Sequence, residues 1–356
     1  MAGKRATARS RNGGSGRRPR NRKSINLALQ GGGAHGAFAW GVIDRLLEED
    51  CLDIEAIVGT SAGAMNAAVT ACGLHQGGAE GARERLREFW TLVSKSAKLS
   101  PLQPTPWDKL FGNGNMEFSP AYQAFDAVSR MLSPYQLNPM NYNPVKEVLE
   151  TVIDCKRLHG QTRVKLFICA TNVLSGKIRV FDNEDVTTDA VLASACLPYL
   201  FQAVEIDGEH YWDGGYMGNP PIYPLIYDAA CRDVLIIQIN PIKIPELPTT
   251  AQAILDRINT LSFNSSLMRE MRAINFVTKL IDAGFDDGGR LKRMLLHTVD
   301  AEEELSKMGV SSKLNADWDF LMQLFELGRE RGMQFLDKHY DKIGKESSTD
   351  IAEKFL

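Results

Sequence analysis

Two short apolar runs, each closed by a glycine-rich turn and followed by a helical pattern, constrain this chain more than any bulk property. The first, INLAL at 25–29, enters Gln30-Gly31-Gly32-Gly33-Ala34-His35-Gly36 and then AFAWGVIDRLLEE. The second, IEAIV at 54–58, enters Gly59-Thr60-Ser61-Ala62-Gly63 and then the small-residue stretch AGAMNAAVTACG. Strands alternating with helices predict an α/β fold, a largely parallel sheet covered by helices on both faces. Further strands are expected at 164–173, 177–182, 203–206, 211–212, 234–239 and 291–299. Helices are expected at 37–49, 80–94, 189–196, 251–282 and 316–339. Within 251–282, Ile254, Ile258, Leu261, Met268, Met271, Ile274, Val277 and Ile281 fall on one face, and Asn264-Ser265-Ser266 is expected to break or recap the helix.

The glycine loop admits two readings. Gly31-x-Gly33-x-x-Gly36 has the form of a dinucleotide fingerprint between strand and helix. That chemistry needs an acid at the C-terminal end of the second strand to hold a ribose, and the only acids there, Asp53 and Glu55, lie at its start. No Lys-Ser/Thr follows the glycines, so a phosphate loop of the Walker type is also excluded. The remaining reading is a set of backbone N–H groups that meet an oxyanion formed during a reaction.

Residues 59–63 favour that reading. GxSxG between an apolar strand and a small-residue helix is the setting of a nucleophile elbow, in which Gly59 and Gly63 permit a sharp turn that exposes the Ser61 hydroxyl at a helix N-terminus. A serine nucleophile needs a base. Of six histidines (35, 75, 159, 210, 297 and 339), none has the late, loop-borne setting of a hydrolase triad histidine, although His297, after an apolar run, stays a candidate. The alternative is a carboxylate in a tight turn, offered by Asp213-Gly214-Gly215 after Tyr211-Trp212.

The glycine loop, GTSAG and DGG, in this order, resemble the patatin-like phospholipase family, its bacterial branch. Ala193-Ser194-Ala195-Cys196-Leu197-Pro198-Tyr199-Leu200-Phe201 is similar to the family's ASxxxPxxF segment. The resemblance covers about residues 25–240. It implies a patatin-like hydrolase architecture with a Ser–Asp dyad: Ser61 as nucleophile, Asp213 as general base, and the N–H groups of Gly31, Gly32, Gly33 and Ala34 as oxyanion hole. Gly214 and Gly215 would allow close approach at the base. The implied activity is that of a lipid acyl hydrolase, a phospholipase A or lysophospholipase, acting through an acyl-serine. An esterase or thioesterase on soluble acyl esters, and a catalytically silent lipid-binding regulatory protein, are the alternatives. His35 stands where the family usually has Arg or Lys, so it either is structural, with the backbone donors sufficing, or modulates activity by becoming charged in acid. No cofactor is implied, and no metal.

The ends and the middle differ from this frame. Residues 1–24 hold nine Lys/Arg and no acid, too little apolar surface to fold; they are expected to form a disordered extension, either a solvated, inert one or, through 4–23, an arm for anionic membrane lipid, with no nucleic acid expected as partner. No apolar stretch follows Arg17-Arg18 as an export signal requires, and none is long enough to span a bilayer. The six scattered cysteines form no metal-ligand spacing and fit a reducing compartment. A cytoplasmic protein, peripheral to the membrane, is therefore expected. Residues 25–245 read as the catalytic domain and 246–356 as a mostly helical part packed on it. Residues 95–145 hold seven of the fifteen prolines and many aromatics, an insertion suited to cover a cleft.

Overall fold

The computed structural model describes residues 21–98, 100–159, 163–285 and 288–356. Most of the expected basic extension thus lies outside the described residues. Among the described residues eight strands form one sheet: β1 Lys23–Leu29, β2 Leu52–Thr60, β3 Lys165–Asn172, β4 Ile178–Phe181, β5 Val204–Ile206, β6 Glu209–Asp213, β7 Asp233–Ile237 and β8 Leu295–Val299. Their order is β5-β6-β3-β2-β1-β7-β8, with β4 also on β3. The pairs β3/β2, β2/β1, β1/β7 and β7/β8 are parallel, whereas β4, β5 and β6 pair antiparallel. The expected sheet is therefore present, with an antiparallel edge.

The chain order of the helices is α1 Gly36–Glu48, α2 Ala62–Ala97, α3 Pro106–Phe111, α4 Pro120–Ser129, α5 Pro134–Leu137, α6 Pro144–Val152, α7 Cys155–Leu158, α8 Thr188–Ser194, α9 Tyr223–Asp228, α10 Ala251–Asp282, α11 Glu302–Leu305, α12 Trp318–His339 and α13 Ile351–Phe355. Strand alternation sorts them into two layers. On β1, Ile25, Leu27 and Leu29 join the core formed with α1, α2 and α12. Ala28 faces the other way, with Val58, Val234 and Ile236, into the core formed with α9, α10 and α13. Among the described residues no helix is long and apolar enough to cross a membrane.

Three local outcomes differ from the sequence reading. The expected helix pair at 62–94 runs as α2, interrupted by non-helical Gly77 and Gly78. The insertion, where no helix was expected, carries several. Thr105, Ser119, Ser133 and Asn143 precede Pro106, Pro120, Pro134 and Pro144, which open α3, α4, α5 and α6, because a proline at the first helical position loses no intrahelical bond and a preceding polar side chain caps the free N–H groups. Finally, α10 passes through Asn264-Ser265-Ser266 without a break. Asn264 and Ser266 are buried, while Ile254, Ile258 and Leu261 of the expected apolar face are exposed. The polar pair is retained because it bonds the loops at the sheet's C-terminal edge, described next.

Candidate active site

The parallel register brings the motifs together. Thr60, the residue before Ser61, ends the ladder against Cys169, the residue before Ala170. Ala170 in turn pairs with Asp213. Ser61 and Asp213 therefore lie about two strand spacings apart, roughly 10 Å between backbones, with the Ser61 hydroxyl near enough to act on the Asp213 carboxyl.

Ser61 has φ 56° and ψ −125°, a conformation that costs about 1–3 kcal/mol for a residue with a side chain. The surroundings enforce it. Its N–H donates to Ser194 Oγ at 2.9 Å, and its C=O accepts from Met65 N at 3.1 Å. A Cβ on Gly63 would stand 2.2 Å from the Leu29 oxygen, and one on Gly59 2.4 Å from the Gly63 oxygen. Both glycines are thus required by the close approach of β1, β2 and α2.

Asp213 is fully buried. Its Oδ1 accepts from Gly215 N at 2.7 Å, and its own N–H donates to the Cys196 C=O at 2.8 Å. Oδ2 is buried without a well-formed hydrogen bond. Burial pushes the carboxyl up to about 7, against the opposing effects of the Ser61 hydroxyl, the Gly215 N–H and the Lys313 charge. Gly214 lies against the Cys169 carbonyl, and Gly215 against Phe263, where a Cβ would stand 2.1 and 2.3 Å from its nearest neighbour, respectively.

The glycine loop packs directly on the serine: a Cβ on Gly31 would stand 2.5 Å from Ser61 Cβ. Of the four expected donors, Gly31 is already engaged. Its N–H donates to Asn219 Oδ1 at 2.7 Å and is not free to meet an oxyanion. Among the described residues, the N–H groups of Gly32, Gly33 and Ala34 donate to no other group. Gly33 has φ +59°, and a Cβ there would meet the Lys313 carbonyl oxygen at 2.3 Å. Gln30 ties the loop's base down, its Oε1 accepting from the N–H of Ile239 and Asn240 at 2.9 Å each, and its Nε2 donating to Asn264 Oδ1 at 3.3 Å.

His35 is buried, 2.7 Å from Ser312 Oγ and edge-on to Phe320. Burial, and then the nearby Lys313 charge, push its pKa down to about 3, so it is neutral at any pH near 7. These contacts favour the structural role over the charged modulator. His297 lies on β8, three strands from β2, between Asp233 Oδ1 at 3.0 Å and Ser348 Oγ at 2.9 Å; it joins the last loop to the sheet and is no base for Ser61.

Four residues of this cluster were not singled out from the sequence. Ser194 lies in the ASxxxPxxF segment but carried no role; Asn219 and Asn240 each precede a proline, a turn signal without chemistry. Lys313 had no signal at all. Among the described residues no group of three or more His, Cys, Asp or Glu is placed to hold a metal ion. A cleft of 410 Å³ opens beside the loop, lined by His35, Asp256, Leu247, Met308 and Lys313 but not by Ser61.

A model of the patatin-like phospholipase family matches residues 27–226, which hold every motif named above. The chain belongs to the patatin-like phospholipase family. Membership implies hydrolase activity on lipid esters. Among solved structures, the patatin-like chain is similar to VipD from Legionella pneumophila, with 16% identity, a TM-score of 0.44, and 94% of this chain and 72% of VipD covered. It is also similar to a chain of the ExoU–SpcU complex from the type III secretion system of Pseudomonas aeruginosa, with 17% identity and a TM-score of 0.37. There 90% of this chain and 53% of the other are covered, so the chain spans about half the length of that relative. No curated protein matches the sequence.

Proposed function

We propose that this protein is a lipid acyl hydrolase of the phospholipase A or lysophospholipase type, working through a Ser61–Asp213 dyad. The observation that carries the reading is Asp213: a buried carboxylate, one oxygen without a well-formed hydrogen bond, beside a serine on a strained elbow. Asp213 takes the hydroxyl proton as Ser61 Oγ bonds to the ester carbonyl carbon. The carbonyl oxygen becomes an oxyanion, facing the N–H groups of Gly32, Gly33 and Ala34. Collapse breaks the C–O bond to the alcohol, which leaves with the proton from Asp213, and an acyl-serine stays behind. Water, deprotonated by Asp213, attacks the acyl carbon; the bond to Ser61 Oγ breaks, Oγ takes the proton back from Asp213, and the fatty acid leaves. A pKa near 7 suits a group that both takes and returns a proton at neutral pH.

Fatty-acid release from mixed phosphatidylcholine and phosphatidylglycerol vesicles, wild type against Ser61→Ala, is the test. Release that vanishes with Ser61→Ala supports the reading. Release that survives it removes the dyad.

A further inference from the structure

Lys313 is half-buried on the wall of the cleft, with its ammonium desolvated, and its hydrogen bond goes to Asn240 Oδ1, at 2.8 Å, instead of to a carboxylate. A buried ammonium without a contacting anion is costly, so its retention calls for a compensating role. Asn240, itself fully buried, donates from Nδ2 to the Gly31 C=O at 2.7 Å. The Gly31 carbonyl and the Gly32 N–H belong to one planar trans peptide and point in opposite directions. A group pulling on the carbonyl therefore orients the N–H away from itself and makes it a stronger donor. Asn219, on the other side, holds the Gly31 N–H, so the peptide planes before and after Gly31 are both fixed by asparagine side chains.

We propose that Lys313 and Asn240 form a charge relay that orients and polarises the Gly31–Gly32 peptide, so that the Gly32 N–H becomes the principal oxyanion donor. The inference rests on the Ser61–Asp213 reading and deepens it. Both are positioning residues; neither touches the ester. The relay works only while Lys313 is protonated. Burial lowers its pKa to about 8, partly offset by the charges of Asp256 and Asp213. The other charged groups bordering the same cleft are Glu117, Glu246, Arg257 and Lys307, and His35 is neutral.

The test is the pH profile of kcat/KM on a short-chain soluble ester for wild type, Lys313→Met and Lys313→Arg. Wild type is expected to decline above about pH 8. Lys313→Met should lower kcat about tenfold, less than the ~10²–10³ lost with a donor itself, leave KM unchanged and abolish the decline. Lys313→Arg should retain activity and remain active above pH 8, since arginine does not titrate there. Wild-type activity level to pH 10 would overturn the relay even if the variants failed to fold. So would a Lys313→Met enzyme with kcat within twofold of wild type and the decline intact. If Ser61→Ala retains activity, the dyad reading fails; if it does not and Lys313→Met behaves as wild type, only the relay fails.

Discussion

A fully buried carboxylate, one oxygen of which lacks a well-formed hydrogen bond, ties chemistry to stability at Asp213. Its folded pKa, about 7, lies above the ordinary 3.8. A raised value favours the folded state most when the group is protonated in both states, below about pH 4, and that contribution is lost as pH rises through 7. The difference amounts to about 4 kcal/mol at most, at ~1.36 kcal/mol per unit. Glu270, raised to about 7 mainly by burial, acts in the same direction. Two outcomes are expected. The logarithm of kcat/KM should rise with unit slope up to about pH 7, where the base ionises, and an acid limb below pH 5 would contradict the assignment. Asp213→Asn should abolish fatty-acid release while raising stability at pH 8 by about 1–3 kcal/mol over wild type, and leaving the gain near zero at pH 4, as read by urea unfolding. Loss of stability at both pH values would show that the carboxylate is structural.

Among the elements, α8 has a role that its composition hides. It ends at Ser194, whose hydroxyl oxygen accepts the Ser61 N–H, and two residues later the Cys196 carbonyl accepts the Asp213 N–H. One short segment thus fixes the backbone of both members of the proposed dyad. Ser194→Ala would leave the Ser61 N–H unpaired, at a cost of about 1–3 kcal/mol. It should reduce kcat more than it changes KM, and an unchanged kcat would mean that the elbow holds its conformation without this bond. The motif-bearing turns were legible in the sequence because their causes are local: Gly59, Gly63, Gly214 and Gly215 stand beside the residues they serve. What surrounds them was not. Asn219, Asn240 and Lys313 reach the glycine loop across separations of about two hundred residues or more, where no spacing rule operates. The Asn264-Ser265-Ser266 stretch illustrates the same limit from the other side. Local propensity favours a break there, but hydrogen bonds from Gln30 Nε2 to Asn264, from Asn264 to the Pro241 carbonyl, and from the Asn219 N–H to Ser266 keep the helix intact. Polar residues inside a helix read as breakers until their partners are known.

For the whole molecule, the distribution of apolar surface bears on which ester the site meets. The sheet and its two helical layers bury their hydrophobes, yet the insertion exposes Trp107, Leu110, Phe111, Phe118, Met131 and Met140. Trp107 and Phe111, one turn apart on α3, stack with ring centroids 5.9 Å apart, although both are more than 60% exposed. The N-terminal half of α10 adds Ile254, Ile258 and Leu261. Exposed apolar surface of this extent on a folded chain marks contact with something apolar, and aromatic rings suit the boundary between water and acyl chains. Because α3 is closed by its own Thr105–Asp108 capping box, its exposed rings can be replaced without removing what folds it. If the substrate is presented by a bilayer, Trp107→Ser with Phe111→Ser should reduce fatty-acid release from vesicles at least about fivefold, the order expected when about 1 kcal/mol of apolar burial is lost. Hydrolysis of a soluble short-chain ester should stay within twofold. Equal losses on both substrates would place the rings in the acyl pocket. Unchanged rates on both would remove the lipid surface from the argument and favour a soluble acyl ester, since Ser61 would then be reached without help from this face.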